Sequence, residues 1–194
     1  MTNEKSKALK FFSELPIFGN LFVAANGYVL RGDNSFVKKV APWRAWVCIF
    51  VDLLWAASLG AISSAAFCFY NVSNVNAASL IQAFTPSFIG VSVGIYALVF
   101  VVPTLVTDDS FKELESSMKS ISFNMSYPIL ALVFILLLSV FTGHLSEGKY
   151  SNFINLSLLF YSFMLVMEVV TYVAYFGRSI VSRRIREMNG KQES

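Results

Sequence analysis

Charged residues are scarce in this chain: aspartate, glutamate, lysine and arginine together make up 14% of its 194 residues. Soluble globular domains carry roughly 25% of such residues. Apolar residues account for 56% of the sequence, so the composition excludes an ordinary soluble domain and is typical of a membrane protein. The net charge of +3 is too small to indicate nucleic acid as a direct partner.

Residues that bind transition metals or carry out catalysis are also few. There is one histidine, His144. The two cysteines, Cys48 and Cys68, lie about 30 Å apart if they share one straight helix. The sequence contains no P-loop, dinucleotide-binding, zinc-protease or serine-hydrolase motif. We therefore expect no metal site, no cofactor and no enzymatic activity, and the N-terminal stretch predicts no signal peptide.

Four apolar runs, by contrast, are long. About 20 apolar residues cross the ~30 Å hydrocarbon core of a bilayer as a helix, and the first run carries only one charge, Asp52. The sequence predicts an all-α fold, an integral membrane four-helix bundle over residues 43–177. Its spans are expected at about 45–70, 80–106, 127–143 and 153–176.

Three polar segments surround these runs. Residues 1–42 are expected to form a cytoplasmic or interfacial N-terminal segment, either as an interfacial helix or as an irregular cap, because its apolar part is interrupted by polar residues, proline and glycine. The connection 107–124 predicts a short amphipathic cytoplasmic helix on the membrane surface. Residues 178–194 form a basic cytoplasmic tail. The apolar stripe of the connection consists of Phe111, Leu114, Met118 and Ile121.

The positive charges predict the orientation of the bundle. Fourteen of the fifteen lysines and arginines lie before the first expected span at residue 45, in the 107–124 connection or in the tail, and only Lys149 lies on the other side. Positively charged flanks stay in the cytoplasm. Both termini are therefore expected in the cytoplasm, with the chain embedded as a multi-pass protein in a bacterial inner membrane.

Two carboxylates lie inside the predicted spans, where an ionisable group is costly. Asp52 is expected roughly 10 Å deep and Glu168 roughly 13 Å deep from the cytoplasmic side, on helices of opposite direction. No lysine, arginine or histidine lies within a span to neutralise them. On a helix, Glu168 shares a face with Tyr161, Tyr172 and Tyr175, which predicts an intramembrane polar cluster. Its groups could serve as structural hydrogen-bond partners, as an ion or proton path, or as a switch.

Small residues recur at helical spacing in the first two spans, which predicts close packing between these spans and favours a homo-oligomer. The expected packing positions are Ala56, Gly60, Ser64, Gly90 and Gly94. In the tail, basic residues directly follow the fourth span. These are Arg183, Arg184 and Arg186, and they are expected to form a dock for a cytoplasmic protein, an anchor on membrane lipid or a plain topology signal.

In its layout the chain resembles the small four-span membrane subunit of Kiwa-type bacterial anti-phage defence systems. The resemblance covers the whole chain in span count, length, cytoplasmic termini and the compact outer loops 71–79 and 144–152. It implies a homo-oligomer of the bacterial inner membrane that senses disturbance at the envelope and works with a cytoplasmic, DNA-binding partner protein. Colicin-type immunity proteins are also small four-span proteins.

These observations predict a non-enzymatic polytopic membrane protein. The favoured function is an oligomeric sensor and scaffold that couples an envelope event to a cytoplasmic partner, since polar sequence lies almost wholly on the cytoplasmic side. The alternatives are a pore or ion-channel subunit that uses Asp52 and Glu168, and a colicin-type membrane immunity protein.

Overall fold

The computed structural model describes residues 18–30, 39–70, 76–101, 108–144 and 149–190. Within these ranges the chain is helical apart from turns and short connections, and no strand is present there, which confirms the all-α fold class. The helices are α1 (Phe18–Val29), α2 (Trp43–Phe69), α3 (Ala77–Val101), α4 (Asp108–His144) and α5 (Lys149–Gly190).

Four of these helices contain segments long and apolar enough to cross a membrane. Their bounds agree within three residues with the spans expected from the sequence, except at the end of the second span. There α3 ends at Val101, and residues 102–107 lie outside the described part of the chain. The four apolar segments are Trp43–Phe69, Ala77–Leu98, Asn124–Gly143 and Ser151–Arg178.

Helix α5 lies at the centre of the bundle and packs against α2, α3 and α4. Helix α4 packs in addition against α3 and α1. The sequence predicted close packing between the first two spans, and in the single chain this prediction is wrong. Helix α2 packs instead against α5, and the described residues show no extended contact between α2 and α3.

The small-residue face of α2 explains this arrangement. Ala56 and Gly60 are buried, and Ser64 is half-buried. A Cβ at Gly60 would lie 2.8 Å from the backbone nitrogen and 2.9 Å from the Cα of Ser157 on α5. Because such distances are shorter than any normal carbon contact, only glycine lets the two backbones approach this closely.

The glycines of α3 have no such role within one chain. Gly90 and Gly94 are exposed, and a Cβ at either position would have no atom within 4 Å. Helix α3 turns its other face inward, where Ile81, Thr85 and Ser92 are buried. The two small-residue patterns expected to pack together therefore lie on separate surfaces.

Within the expected N-terminal segment, residues 18–29 form helix α1. Although its sequence contains two glycines and two asparagines, it is helical because its apolar side chains pack on the bundle. Phe18 contacts Phe134 of α4 with ring centroids 5.5 Å apart, and Phe22 stacks on Trp46 of α2 at 5.6 Å. Tertiary contacts override weak intrinsic helix propensity in this segment.

Helices α4 and α5 extend well beyond their apolar segments. The polar connection predicted as a separate short helix is instead the first part of α4, which runs unbroken for 37 residues and includes Pro128. The basic tail continues α5, which is 42 residues long. Residues 108–123 and 179–190 are thus helical continuations of the third and fourth apolar segments.

Candidate functional site

The register between α2 and α5 brings the two carboxyl-bearing residues to nearly the same level. Gly60 of α2 meets Ser157 of the antiparallel α5. Asp52 lies eight residues before Gly60, and Leu165 lies eight residues after Ser157, so these two positions lie at the same level along the helix pair. Glu168 is three residues further on, or about 4.5 Å along the helix axis.

Glu168 is half-buried and accepts hydrogen bonds from two tyrosines. The Tyr28 hydroxyl donates to Oε1, and the Tyr172 hydroxyl lies 3.5 Å from the same oxygen. Tyr172 comes from the next turn of α5, as the helical spacing predicted. Tyr28 comes from α1, 140 residues away in the chain.

Tyr28 is the contribution that the sequence did not reveal, because no spacing rule relates a residue before the first span to one in the last. Its ring packs on Tyr127 of α4, with centroids 4.8 Å apart. Burial, together with the hydrogen bond to Glu168, raises the pKa of the Tyr28 phenol above its ordinary value of 10.0. The phenol therefore stays protonated and remains a donor at neutral pH.

The position of Tyr28 depends on Asn26, which is fully buried. The Asn26 side chain donates from Nδ2 to the Lys39 carbonyl at 3.0 Å and accepts at Oδ1 from the Ala41 backbone N–H at 2.7 Å. These bonds join α1 to the residues that lead into α2. A buried amide with both of its ends bonded holds α1 in one place.

Asp52 is half-buried at the edge of the same cluster. Its carboxyl group interacts electrostatically with Glu168 and also with Tyr127 and Tyr161. It lies among exposed apolar side chains of α2, including Val51 and Leu53. The single chain thus shields Asp52 less completely than Glu168.

The two other expected tyrosines make no hydrogen bond to Glu168. Tyr161 is buried but shares a hydrogen bond of 2.7 Å with Tyr127 rather than with Glu168. Tyr175 is 68% exposed and lies outside the cluster, although it is seven residues from Glu168. Helical spacing predicted a contact between Tyr175 and Glu168 that does not form. Helix α5 has neighbours on several sides, so two residues on one face of it need not share the same neighbours. The carboxyl–tyrosine cluster consists of Tyr28, Asp52, Tyr127, Tyr161, Glu168 and Tyr172.

A second polar cluster lies near the other end of the apolar segments, and sequence reasoning missed it. Thr142 of α4 and Asn155 of α5 are joined by a hydrogen bond of 2.6 Å between Oγ1 and Oδ1, and Ser151 Oγ donates to the Thr142 carbonyl at 3.2 Å. The Gln82 amide of α3 reaches the Ser139 carbonyl at 3.3 Å. All of these groups are neutral, so this cluster holds helices together without any ionisable side chain.

The chemistry available to the carboxyl–tyrosine cluster is the exchange of protons and hydrogen bonds. Among the described residues, no group of three or more histidine, cysteine, aspartate or glutamate side chains lies close enough to hold a metal ion. The proposed dock residues Arg183, Arg184 and Arg186 lie in α5, and their side chains are outside the described part of the structure.

Comparison of the chain with protein-family models, with curated proteins and with solved structures finds no match.

Proposed function

We propose that the chain is a non-enzymatic polytopic protein of a bacterial inner membrane, and that it acts as an oligomeric sensor and scaffold coupling an envelope event to a cytoplasmic partner. One observation carries this proposal. Helices α4 and α5, which hold most of the carboxyl–tyrosine cluster, continue without a break beyond their apolar segments. A displacement of either helix in the membrane therefore moves the polar extension attached to it.

The cluster supplies a place where such a displacement can begin. Hydrogen bonds and a ring contact among its side chains join the three helices α1, α4 and α5. Asp52 of α2 interacts electrostatically with Glu168. Two carboxyl groups in one cluster of low polarity respond strongly to added charge, to protonation and to small changes in spacing. A change at this site would alter the contacts of α1, α2, α4 and α5 together.

The orientation rests on the distribution of positive charge, which favours cytoplasmic termini. Alkaline phosphatase is active only when it is exported, so fusions after Asn76 and Gly148 should be active. Fusions after Ser116 and Ser194 should be inactive. An active fusion after Ser116 would contradict this topology.

Homo-oligomerisation is supported by two surfaces of the single chain. Helix α3 leaves Gly90 and Gly94 uncovered, and such positions allow close approach of another helix in a membrane. Asp52 is only half-buried among exposed apolar side chains. A neighbouring subunit could pack closely against the glycines of α3, and one that covered Asp52 would reduce the exposure of its carboxyl group to lipid.

The layout resemblance to the membrane subunit of Kiwa-type systems suggests anti-phage defence as the setting. In that setting a cytoplasmic protein would bind at the extensions of α4 and α5, with Arg183, Arg184 and Arg186 as the proposed dock.

Cross-linking and mass spectrometry on bacterial membranes test the sensor proposal. The wild-type chain should cross-link to other copies of itself and to one cytoplasmic protein at residues 179–190. Glu168→Gln, which keeps the shape but cannot ionise, should leave the self-cross-links unchanged and change the partner cross-links. Tyr175→Phe is the matched control outside the cluster. A monomeric chain, or partner cross-links that ignore Glu168→Gln, would contradict the proposal.

A proton or ion path is the second candidate, and the electrostatic interaction between Asp52 and Glu168 favours it. Reconstituted in liposomes, the wild-type chain should then carry a proton or cation flux driven by a membrane potential. Asp52→Asn and Glu168→Gln should each abolish that flux. Liposomes as tight as protein-free ones would rule this candidate out.

A further inference from the structure

The middle of the bundle can be located from the register of α4 and α5. Thr142 of α4 is hydrogen-bonded to Asn155 of α5. Because the two helices are antiparallel, counting eight residues from this contact brings Phe134 of α4 level with Phe163 of α5. Phe134 lies ten residues from the first residue of its apolar segment, Asn124–Gly143, and nine from the last. This level is therefore the middle of the apolar part of α4.

Helices α2 and α3 have their middles at the same level. Phe88 of α3 contacts Phe163, with ring centroids 6.1 Å apart. Gly60 of α2 meets Ser157 of α5, and counting six residues from this contact brings Leu54 level with Phe163. Both Phe88 and Leu54 lie within two residues of the middle of their apolar segments. In a bilayer this shared level is the middle of the hydrocarbon core, about 15 Å from either surface.

Helix α1 begins at this middle level. Its first residue, Phe18, contacts Phe134 of α4 with ring centroids 5.5 Å apart. The next residue, Gly19, is buried, so the first turn of α1 lies against the bundle. A helix that begins inside hydrocarbon leaves the N–H groups of its first turn without helical partners. Membrane proteins tolerate such an end where protein or water surrounds it.

The rest of α1 runs toward the end of the bundle at which α2 begins. Phe22 stacks on Trp46, three residues inside α2, with ring centroids 5.6 Å apart. Asn26 accepts a hydrogen bond of 2.7 Å from the backbone N–H of Ala41, two residues before α2. The 12 residues of α1 extend about 18 Å, roughly half the thickness of the hydrocarbon core. The order of these contacts therefore follows the bilayer from its middle to its surface.

The side chains of α1 permit this position. The helix carries no charged residue. Of its three polar side chains, Asn26 is bonded at both ends of its amide, and Tyr28 donates to Glu168. The third, Asn20, is exposed near the N-terminal end of the helix. One neutral amide costs far less in hydrocarbon than a charge, so this sequence can be inserted.

We propose that α1 is a half-membrane helix, which enters the hydrocarbon core from the end of the bundle where α2 begins and reaches the middle of the bilayer at Phe18. This position differs from the headgroup region expected for the N-terminal segment, and it does not depend on the sensor role. On the α1 side of the bundle, Glu168 meets the phenol of Tyr28 rather than lipid. Release of α1 from the bundle would remove that contact.

The depth of Asn20 in the membrane tests the proposal. In a Cys48→Ser and Cys68→Ser background, a nitroxide spin label on Asn20→Cys reports collisions with oxygen, which concentrates in hydrocarbon, and with a water-soluble nickel chelate. Two exposed positions provide matched controls, Leu54→Cys at the middle level and Val181→Cys beyond the apolar segment of α5. In phosphatidylcholine and phosphatidylglycerol vesicles, the Asn20→Cys label should collide with nickel about tenfold less often than the Val181→Cys label, as the Leu54→Cys label does.

A label on Phe18→Cys provides a second measurement and should report the same depth as Leu54→Cys. Nickel collisions at Asn20→Cys as frequent as at Val181→Cys would overturn the proposal, whatever the result at Phe18→Cys. That outcome would be decisive because Asn20 is exposed, and its replacement leaves the ring contacts of Phe18 and Phe22 in place. Helix α1 would then lie in the headgroup region.

Discussion

Helices α2 and α3 carry the same kind of small-residue pattern, but the fold places the two patterns in opposite environments. On α2, Gly60 is buried, and its Cα faces the backbone of Ser157 on α5. On α3, Gly90 and Gly94 are exposed, with open space where a Cβ would stand. The pattern alone therefore predicts close packing but does not identify the helix that packs there.

The same contrast between inward and outward positions holds for polar residues. Asn26 of α1 is fully buried and bonded at both ends of its amide, whereas Asn20 of the same helix is exposed. Tyr28 donates to Glu168, whereas Tyr175 is exposed. In each case, identical residues have different roles because the neighbouring helices differ.

The largest effect is expected for Gly60→Ala. The added Cβ would press on backbone atoms of Ser157, which cannot rotate away, so we expect a loss of about 2 kcal/mol or more in the free energy of unfolding. Gly90→Ala is the control and should be neutral or stabilising by up to about 1 kcal/mol, since alanine favours helix. Unfolding in detergent micelles measures both. Equal changes in the free energy of unfolding for Gly60→Ala and Gly90→Ala would show that the close approach at Gly60 has no special effect on stability.

The next largest loss of stability is expected for Asn26→Ala. The substitution removes two hydrogen bonds and leaves the Ala41 N–H without the acceptor that Asn26 provides, which costs about 2 kcal/mol in a buried site. Hydrogen exchange at residues 39–41 should rise at the same time. Asn20→Ala, on the exposed side of α1, should change neither quantity; a matching loss there would show that helix α1 as a whole is affected.

Tyr28→Phe tests the link between α1 and Glu168. Loss of the phenol should cost about 1–2 kcal/mol, because a hydrogen bond to a carboxyl group contributes more than a neutral one. Tyr175→Phe should have no measurable effect on unfolding. If the two variants behave alike, the hydrogen bond between Tyr28 and Glu168 contributes nothing to stability.

The pH dependence of the Tyr28 contribution follows from its raised pKa. The folded state prefers the protonated phenol, so the contribution is complete below pH 10 and is lost only as the pH rises above that value. The stability difference between wild type and Tyr28→Phe should therefore be constant from pH 6 to about pH 9. A difference that shrinks as the pH rises through this range would contradict the assignment.

The smallest loss of stability in a single chain is expected for Gly90→Leu with Gly94→Leu. These side chains enter open space and leucine favours helix over glycine, so the free energy of unfolding of the subunit should not fall. Assembly should change strongly, with fewer oligomers in native mass spectra. Val91→Leu with Val93→Leu adds apolar bulk beside the glycines as the control. Strictly monomeric spectra for every variant would refute oligomerisation through this face.

The sequence predicted several features of the fold correctly because they depend on local composition. An apolar run of sufficient length is helical throughout, and all four segments were found within three residues of their expected starts. The same reasoning placed Tyr172 beside Glu168, one helical turn away. It missed the length of α4 and α5, because a drop in hydropathy ends an apolar segment but does not end a helix.

What the sequence alone determined is the number of apolar segments, the position at which each begins and the two carboxyl-bearing levels within them, since each follows from composition and spacing along one helix. Only the tertiary structure decided which helices touch. It put α5 at the centre, paired Gly60 with Ser157, and brought Tyr28 to Glu168 across 140 residues of chain. The physical reason is that apolar faces of membrane helices are chemically alike, so the choice of partner depends on the fit of surfaces that only the folded chain brings together.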